Sequence, residues 1–221
     1  NQCVNIQQVV IEVNQSPELS YINEVYNLCF DQIQAITAFN SVNDTTIKYG
    51  FNGNTDGVTL VNAVVGDAIS TTAVVASEGS GSLNIKNGAQ TNAGVVFDAT
   101  FNVFNLQSAV LEFDHIAALQ ATATTVNDYA YLEYSTNNGA SWATFKNADY
   151  TGSASATLPA PLGAPSFVGK FFTKTSYADW TNIGETDMPT NAMWKSEKFV
   201  VPASAFTATG TLKIRMRIGS D

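Results

Sequence analysis

Residues 126–145 alternate apolar and polar side chains and then turn back. The alternation runs from Ala130 to Ser135, the period-2 pattern of a strand with one buried face. Asn137, Asn138 and Gly139 follow, and residues of these types tolerate the positive φ angles of a tight reversal. The segment therefore predicts a β-hairpin, with aromatic residues on both arms to anchor a hydrophobic core.

Similar strand patterns recur along the chain, bounded by turn residues. They lie at residues 4–13, 33–39, 45–51, 59–65, 83–86, 95–104, 108–116, 194–201 and 211–218. In 108–116, Ala109, Leu111 and Phe113 are predicted to share the buried face, opposite Val110 and the two acids that follow it. Strands at this spacing predict an all-β fold, a sandwich or jelly roll.

Three stretches depart from this pattern. Residues 19–30 are interpreted as a strand because they are rich in β-branched side chains, although their apolar residues also fit helical spacing. Residues 66–81 are rich in small residues, and we expect a looser stretch and a domain boundary there. Residues 147–187 form a long insertion with three prolines and an aromatic group.

Composition and charge narrow the classes of partner. Of the 221 residues, 45% are hydrophobic and only 13% are charged, so Asn, Thr, Ser and Gln must supply much of the polar surface. The net charge of −9 argues against a nucleic-acid partner, which requires a basic face. The same charge suits a secreted protein that self-repulsion keeps soluble. No apolar run approaches the roughly 18 residues of a transmembrane helix, so no membrane span is expected.

Five segments of the second part carry a resemblance to a known family: 81–85 (GSLNI), 109–115 (AVLEFDH), 131–142 (YLEYSTNNGASW), 194–199 (WKSEKF) and 212–217 (LKIRMR). On these segments, residues 67–221 resemble the jelly-roll modules of very long surface adhesins and other type IX-secreted proteins of Bacteroidota. Those modules are relatives in shape of MAM-like sandwiches. The family's last strand is normally followed by a GW-[YL]-ID-[DN] segment, whereas this sequence ends at Asp221, so we expect a fragment that lacks the closing strand.

The first part carries 9–14 (VVIEVN), 26–29 (YNLC) and 34–39 (QAITAF). It is similar to the PKD-like, immunoglobulin-like repeats of such adhesins. The resemblance implies the end of a preceding repeat or a linker at 1–16, an immunoglobulin-like segment at 17–66 and a truncated jelly roll at 67–221.

The resemblance also implies a function. We expect a non-catalytic module of a large extracellular cell-surface adhesin, linked to gliding or surface attachment. Its partners would be neighbouring domains, the type IX secretion machinery, and surface glycans or proteins. The alternative is a carbohydrate-binding accessory module of a secreted hydrolase. A stand-alone enzyme would need a second histidine, a strong acid pair or a catalytic motif, and the sequence offers none of these.

Two sets of oxygen ligands are candidates for Ca²⁺. Asn52, Asn54 and Asp56 recur at alternate positions before a glycine, as in the first half of a calcium loop. The position where a bidentate glutamate belongs is an alanine, so an ordinary Asn/Gly turn is the alternative. Glu112 and Asp114 share a strand face and form the second set, or a hydrolytic carboxylate pair. The alternative for them is a solvated sheet face.

His115 is the only histidine, so any Ser-His-Asp system must use it. Asp114 is its neighbour on a strand and therefore points to the opposite face, and no GxSxG motif is present. We therefore interpret His115 as a structural residue.

The insertion contains five aromatic residues: Phe167, Phe171, Phe172, Tyr177 and Trp180. Aromatic rings on a loop can stack on sugars, which makes Trp180, Tyr177, Phe171 and Phe172 candidates for ligand binding. The alternative is that they pin the insertion onto the sandwich.

Two covalent features are predicted. A Cys3–Cys29 bridge would stabilise the fold by roughly 3 kcal/mol on the chain-entropy model, or each cysteine pairs with a residue elsewhere. Thr45 lies in an Asn43-Asp-Thr sequon and in an Asp-Thr-Thr sequence that resembles an O-glycosylation motif of Bacteroidota, and Asn14-Gln-Ser is a second sequon. Thr45 is the predicted acceptor.

Overall fold

The computed structural model describes residues 3–15, 18–20, 39–41, 44–61, 68–86, 92–102, 106–122, 126–152, 170–184, 187–202, 205 and 211–219. Within these ranges the chain forms β-strands and short 3₁₀ helices, and it contains no α-helix. The named strand pairs are all antiparallel. The all-β prediction is confirmed.

The strands, in chain order, are β1 (Cys3–Gln15), β2 (Glu18–Ser20), β3 (Phe39–Ser41), β4 (Asp44–Tyr49), β5 (Thr59–Val61), β6 (Ala68–Thr72), β7 (Ser82–Lys86), β8 (Asn92–Asn102), β9 (Leu106–Ile116), β10 (Tyr129–Ser135), β11 (Ala143–Thr144), β12 (Phe171–Phe172), β13 (Lys195–Val200) and β14 (Thr211–Gly219). The 3₁₀ helices are η1 (Asn147–Asp149), η2 (Ala178–Trp180) and η3 (Asn191–Met193).

The first large sheet is built around β1. Its strand order is β13-β9-β1-β7-β6. One edge of β1 pairs with β9, and the other edge pairs first with β7 and then with β4. The 13 residues of β1 thus join three other strands of the chain through backbone hydrogen bonds.

The second large sheet has the order β11-β10-β14-β8-β5, with β12 also paired to β10. β10 and β11 are the two arms of the predicted hairpin, and Glu133 faces Thr144 in their register. This prediction is confirmed. A small sheet of β2 and β3 completes the described set.

The two large sheets share one hydrophobic core. The first contributes Leu83, Ile85, Ala109, Leu111, Phe113 and Phe199, and the second contributes Ala130, Leu132, Leu212, Ile214, Met216 and Ile218. Aromatic rings bridge the layers, with centroids 5.3 Å apart for Phe145 and Phe199. Burying one such side chain stabilises the fold by about 1.5–3 kcal/mol. The apolar face of each strand is therefore the one that points into the core.

The prediction of one buried face for β10 is wrong. Tyr131 and Glu133 lie on the face away from the main core, yet they are only 7% and 8% exposed. Tyr131 belongs to a second apolar cluster with Ala121, Val126 and Phe171. Phe171 of β12, Ala121 and Val126 therefore pack on a face of β10 that alternation assigns to solvent.

The expected loose stretch at residues 66–81 contains the strand β6, which pairs with β7 along its whole length. Small Ser, Thr and Ala side chains do not prevent a strand when a neighbour supplies the hydrogen bonds. Strands from the three predicted segments lie in one sheet, because β1 is hydrogen-bonded to both β4 and β9. The predicted domain limits stay a prediction. Residues 21–38 lie outside the described ranges.

Candidate functional site

The most unusual group of side chains lies at the end of the core between β9 and β13. The inward face of β9 runs through Leu111 and Phe113 to His115, which is completely buried. In β13 the inward face carries Phe199 and then Glu197, which is 2% exposed. Strand alternation thus brings an imidazole and a carboxylate into an otherwise apolar interior.

Two tyrosines complete this group, which we call the Glu197 cluster: His115, Tyr150, Tyr177 and Glu197. The Glu197 Oε1 atom lies 3.1 Å from His115 Nε2. Tyr150 donates its hydroxyl hydrogen to Glu197 Oε2 at 2.6 Å, and Tyr177 donates to Oε1. One carboxylate therefore binds three side chains from three other segments. Charge-assisted hydrogen bonds of this kind are the strong ones in proteins.

Backbone contacts position both tyrosines. Tyr150 follows η1 and forms a β-bridge with Phe199, and the next residue, Thr151, donates its N–H to Lys198 O at 2.9 Å. Tyr177 immediately precedes η2, and its ring packs against Trp180 with centroids 4.7 Å apart. The two ends of the long insertion are thus attached to the same strand, β13.

An aromatic box surrounds His115. The centroid of its ring is 4.5 Å from that of Phe172, 5.1 Å from Phe113 and 5.4 Å from Trp180, all edge to face. Nδ1 of His115 is buried and has no hydrogen-bond partner. The Trp180 indole donates to Met193 O at 2.7 Å. The imidazole is therefore held from one side by Glu197 and from the others by ring packing.

The environment shifts several pKa values. Burial raises the pKa of Glu197, but the hydrogen bond and charge of His115 and the hydrogen bonds of Tyr150 and Tyr177 outweigh it, so the net pKa lies below 4.5. Burial, and then the hydrogen bond to Glu197, raise the pKa of Tyr177. Burial lowers the pKa of Lys170, and the charge of Glu197 partly offsets this decrease. Glu197 is therefore an ionised acceptor and Tyr177 a protonated donor at neutral pH.

This arrangement holds segments together. Both oxygens of Glu197 already accept hydrogen bonds, and His115 is sealed from solvent. Asp114 does not orient His115: it accepts hydrogen bonds from Ser77 and Ser196 on the other face of β9.

Glu197 is not among the residues predicted from the sequence, and it lies 82 residues from His115 in the chain. One signal was present. In the alternation of WKSEKF, Glu197 takes the same face as Phe199, so an acid occupies a position that the pattern assigns to the core.

In the first calcium candidate, the chain's own N–H groups bind the side-chain oxygens. Asp56 Oδ2 accepts from the N–H groups of Gly50 and Phe51, at 2.8 and 2.7 Å. Asn54 Oδ1 accepts from Asp56 N at 2.7 Å. Asn52 Oδ1 accepts from the backbone N–H of Ser80 at 2.9 Å. The loop therefore has the hydrogen bonding of an Asx-rich turn.

The second candidate set shares a face, as the pattern predicts, but its members contact different partners. Glu112 pairs with Lys198 at 2.5 Å across neighbouring strands, while Asp114 is bound by two serines. In the part of the chain that the structure describes, no three His, Cys, Asp or Glu side chains are grouped so that they could hold a metal ion. The Ca²⁺ prediction stays a prediction.

The candidate ligand-binding aromatics are buried rather than displayed. Trp180 and Phe172 are 0% exposed and Phe171 is 5% exposed, and Tyr177 is half-buried. The structure does not present Trp180 as a stacking platform, because its ring lies inside the core. Phe171 lies on the other side of the sheet, in the second apolar cluster. These contacts are those of the alternative interpretation, in which the aromatics pin the insertion. Phe167 lies outside the described residues.

Only some residues of the predicted disulfide and glycosylation sites lie within the described ranges. Cys3 begins β1, opposite Lys86, and Cys29 lies outside the described residues. Thr45 lies in β4 opposite Val13, and Asn14 faces Asp44 in the same pair of strands. The bridge and the glycosylation remain predictions.

No family model, no curated protein and no solved structure matches the chain. Among the helices of the described ranges, none is long and apolar enough to cross a membrane.

Proposed function

We propose that this chain is a non-catalytic module of a large secreted cell-surface adhesin, and that it acts by presenting surfaces for contact. Its second part would be a jelly roll and its first part an immunoglobulin-like segment. The antiparallel two-sheet architecture supports this proposal at the level of fold class. The adhesin identity rests on the sequence resemblance described above.

One observation carries the non-catalytic part of the proposal. The only histidine of the chain is fully buried, and its Nε2 atom is bound by Glu197. A general acid or base must come within hydrogen-bond reach of the proton that it transfers. A sealed imidazole whose partner is saturated by three donors is better suited to holding the fold together.

The attachment of the insertion supports a protein that works outside the cell. Tyr150 and Tyr177 tie the two ends of the insertion to one carboxylate of β13. Loops are the preferred sites of proteolytic cleavage, so anchoring both ends of a long loop protects a secreted protein. The net charge of −9 also favours solubility there.

Antibodies against the full chain test the proposal directly. They are expected to label intact source cells, and their Fab fragments are expected to reduce attachment of those cells to a solid surface. Fab fragments against an unrelated surface protein serve as the control. Labelling that requires cell lysis would refute the surface location, and unchanged attachment despite surface labelling would refute the adhesive role.

A glycan array probed with the folded full chain tests the carbohydrate-binding alternative. The buried position of Trp180 removes the platform on which that alternative depended. We expect no specific glycan binding. Specific binding to one glycan class would replace the contact role with a lectin-like one.

A further inference from the structure

The three methionines of the chain differ in how far water reaches their side chains. Met193 and Met216 are 8% and 1% exposed and belong to the hydrophobic core. Met188 is 65% exposed, which makes it the most exposed large apolar side chain among the described residues. The Met188 thioether is therefore open to small reagents dissolved in water, whereas the surrounding core shields the other two.

Two hydrogen-bonded turns fix the backbone on either side of Met188. Before it, Gly184 N donates to Asp187 Oδ2 at 2.7 Å, and Asp187 N donates to Gly184 O at 3.1 Å. After it, Met193 N donates to Thr190 O at 3.0 Å. The exposed side chain thus lies between two closed turns, and a polar atom added to it would enter water rather than the core.

The chemistry of a thioether decides what this exposure permits. Peroxides oxidise methionine sulfur, which is soft and polarizable. The sulfur lone pair attacks one peroxide oxygen, the O–O bond breaks, and a sulfur–oxygen bond forms while the second oxygen leaves as water. The sulfur loses two electrons and the peroxide gains them. We propose that Met188 is the site at which hydrogen peroxide oxidises the folded chain, giving one methionine sulfoxide per chain.

The same exposure makes the change reversible. Methionine sulfoxide reductases return the sulfoxide to the thioether, with one enzyme for each epimer. Two thiols of the reductase supply the electrons, a disulfide forms, and the oxygen leaves as water. The reductase must take the side chain into its own active site, which the exposed Met188 allows and the buried Met216 does not. Met188 thus alternates between an apolar and a polar side chain at one position of the surface.

Mass spectrometry of the full chain tests this site. The folded chain is treated with dilute hydrogen peroxide, then denatured and digested with a protease that cleaves after glutamate. Met188 and Met193 share the peptide 186–197, so fragment ions must assign the added oxygen, and Met216 lies in 198–221. We expect Met188 to be oxidised at least about tenfold faster than the other two, because buried residues react only when the structure opens locally. In concentrated urea the three rates are expected to converge.

Two variants sharpen the test. Met188→Leu removes the exposed sulfur, and Met193→Leu is the matched control, since both exchanges nearly conserve side-chain volume. In the time that oxidises Met188 of the wild type, folded Met188→Leu is expected to gain no oxygen on a methionine, and folded Met193→Leu is expected to gain one. Reductases supplied with dithiothreitol are expected to return the oxidised wild type to its original mass. Its thermal unfolding midpoint should equal that of the untreated chain, because Met188 lies outside the core cluster.

The opposite results would overturn the proposal. Equal oxidation rates of the three methionines in the folded chain, earlier oxidation of Met193 or Met216, or an oxidised methionine in folded Met188→Leu would each do so. A sulfoxide that the reductases leave in place, or a lowered unfolding midpoint after oxidation, would show that Met188 is not freely exposed. The proposal is independent of the adhesive function, since each experiment can fail without the other.

Discussion

The hairpin at residues 129–144 and the Glu197 cluster are both rich in hydrogen bonds, but they differ in how far apart their partners lie in the chain. In the hairpin, Ser135 Oγ accepts from Gly139 N at 2.8 Å, and Asn137 Oδ1 accepts from Ser141 N at 2.8 Å, each over four residues. In the cluster, Tyr150 and His115 reach Glu197 over 47 and 82 residues.

The hairpin needs little beyond its own sequence. Asn138 and Gly139 adopt φ angles of 58° and 89°, which Asn tolerates and Gly accepts without strain. Trp142 packs over Gly139, where an added Cβ would lie 3.4 Å from the ring. On its outer side, the Arg215 guanidinium stacks 4.1 Å from the ring centroid. The side-chain hydrogen bonds within residues 135–141 join residues no more than four positions apart.

The cluster, by contrast, exists only after the sheets have formed. β9 and β13 must pair before His115 and Glu197 can meet, and the insertion must fold back before Tyr150 and Tyr177 reach them. Disturbance of a turn should therefore have a local, modest cost, whereas disturbance of the cluster should loosen several segments together.

Removal of the Glu197 side chain should have the largest effect. Glu197→Ala leaves a buried imidazole and two half-buried phenols without their shared acceptor, and breaking a buried pair in this way costs about 3–5 kcal/mol. Chemical denaturation is expected to show this loss of unfolding free energy.

Glu112→Ala is the matched control for that substitution. Its ion pair with Lys198 is exposed, with both side chains at 46%, so the expected loss is only about 0–1 kcal/mol. Equal losses in the two variants would show that the cluster contributes no more than a surface pair.

Acid should weaken the cluster less than truncation does, because the hydrogen-bonding atoms remain. The pKa of Glu197 is lower in the folded chain than the ordinary 4.5. The stabilisation by its ionised form is therefore complete above pH 4.5 and is lost as the pH falls through the folded value. Unfolding free energies measured across this range should decline more steeply for wild type than for Glu197→Gln, and identical slopes would contradict the assignment.

Substitution within the hairpin should lower the unfolding free energy by less than loss of the Glu197 side chain does. Ser135 Oγ accepts from two backbone N–H groups and donates to Asn137 Oδ1. Ser135→Ala leaves part of the turn unsatisfied, at a cost of about 1–3 kcal/mol. The exposed Ser141→Ala is the control and should cost less. Hydrogen exchange is expected to show faster exchange at Gly139 and unchanged exchange at Thr151, where the insertion meets β13. Faster exchange at both positions would mean that the turn is not a local unit.

The smallest effect should come from the backbone of the turn itself. Gly139→Ala forces a Cβ onto a residue with φ of 89°, which costs about 1–2 kcal/mol. Asn138→Gly relaxes the neighbouring position and is expected to change stability by less than about 1 kcal/mol. Thermal unfolding of both variants measures the difference, and a larger loss for Asn138→Gly would contradict the turn geometry.

Much of the strand set could be predicted from the sequence, because alternation and turn residues act over a few positions. The inward face of β9 and the Asn-Asn-Gly reversal are examples. The strand β6 was missed because its small polar residues form a strand only beside β7. The second buried face of β10 was missed because what covers it, including Phe171, comes from distant parts of the chain.

The candidate site was less predictable for the same reason. The sequence marked His115 as structural and excluded Asp114 as its partner, since neighbours on a strand point to opposite faces. It could not select Glu197, because that choice depends on β13 pairing with β9 rather than with another strand.

The sequence by itself determined the all-β class, the hairpin and the inward face of β9, because side-chain alternation and turn conformation depend on residues next to one another. Only the tertiary structure decided that β1 lies at the centre of a sheet, that Trp180 is buried, and that His115 and Glu197 meet. Those outcomes depend on strand order and sheet packing, which arise from the combined burial of many side chains across long separations in the chain.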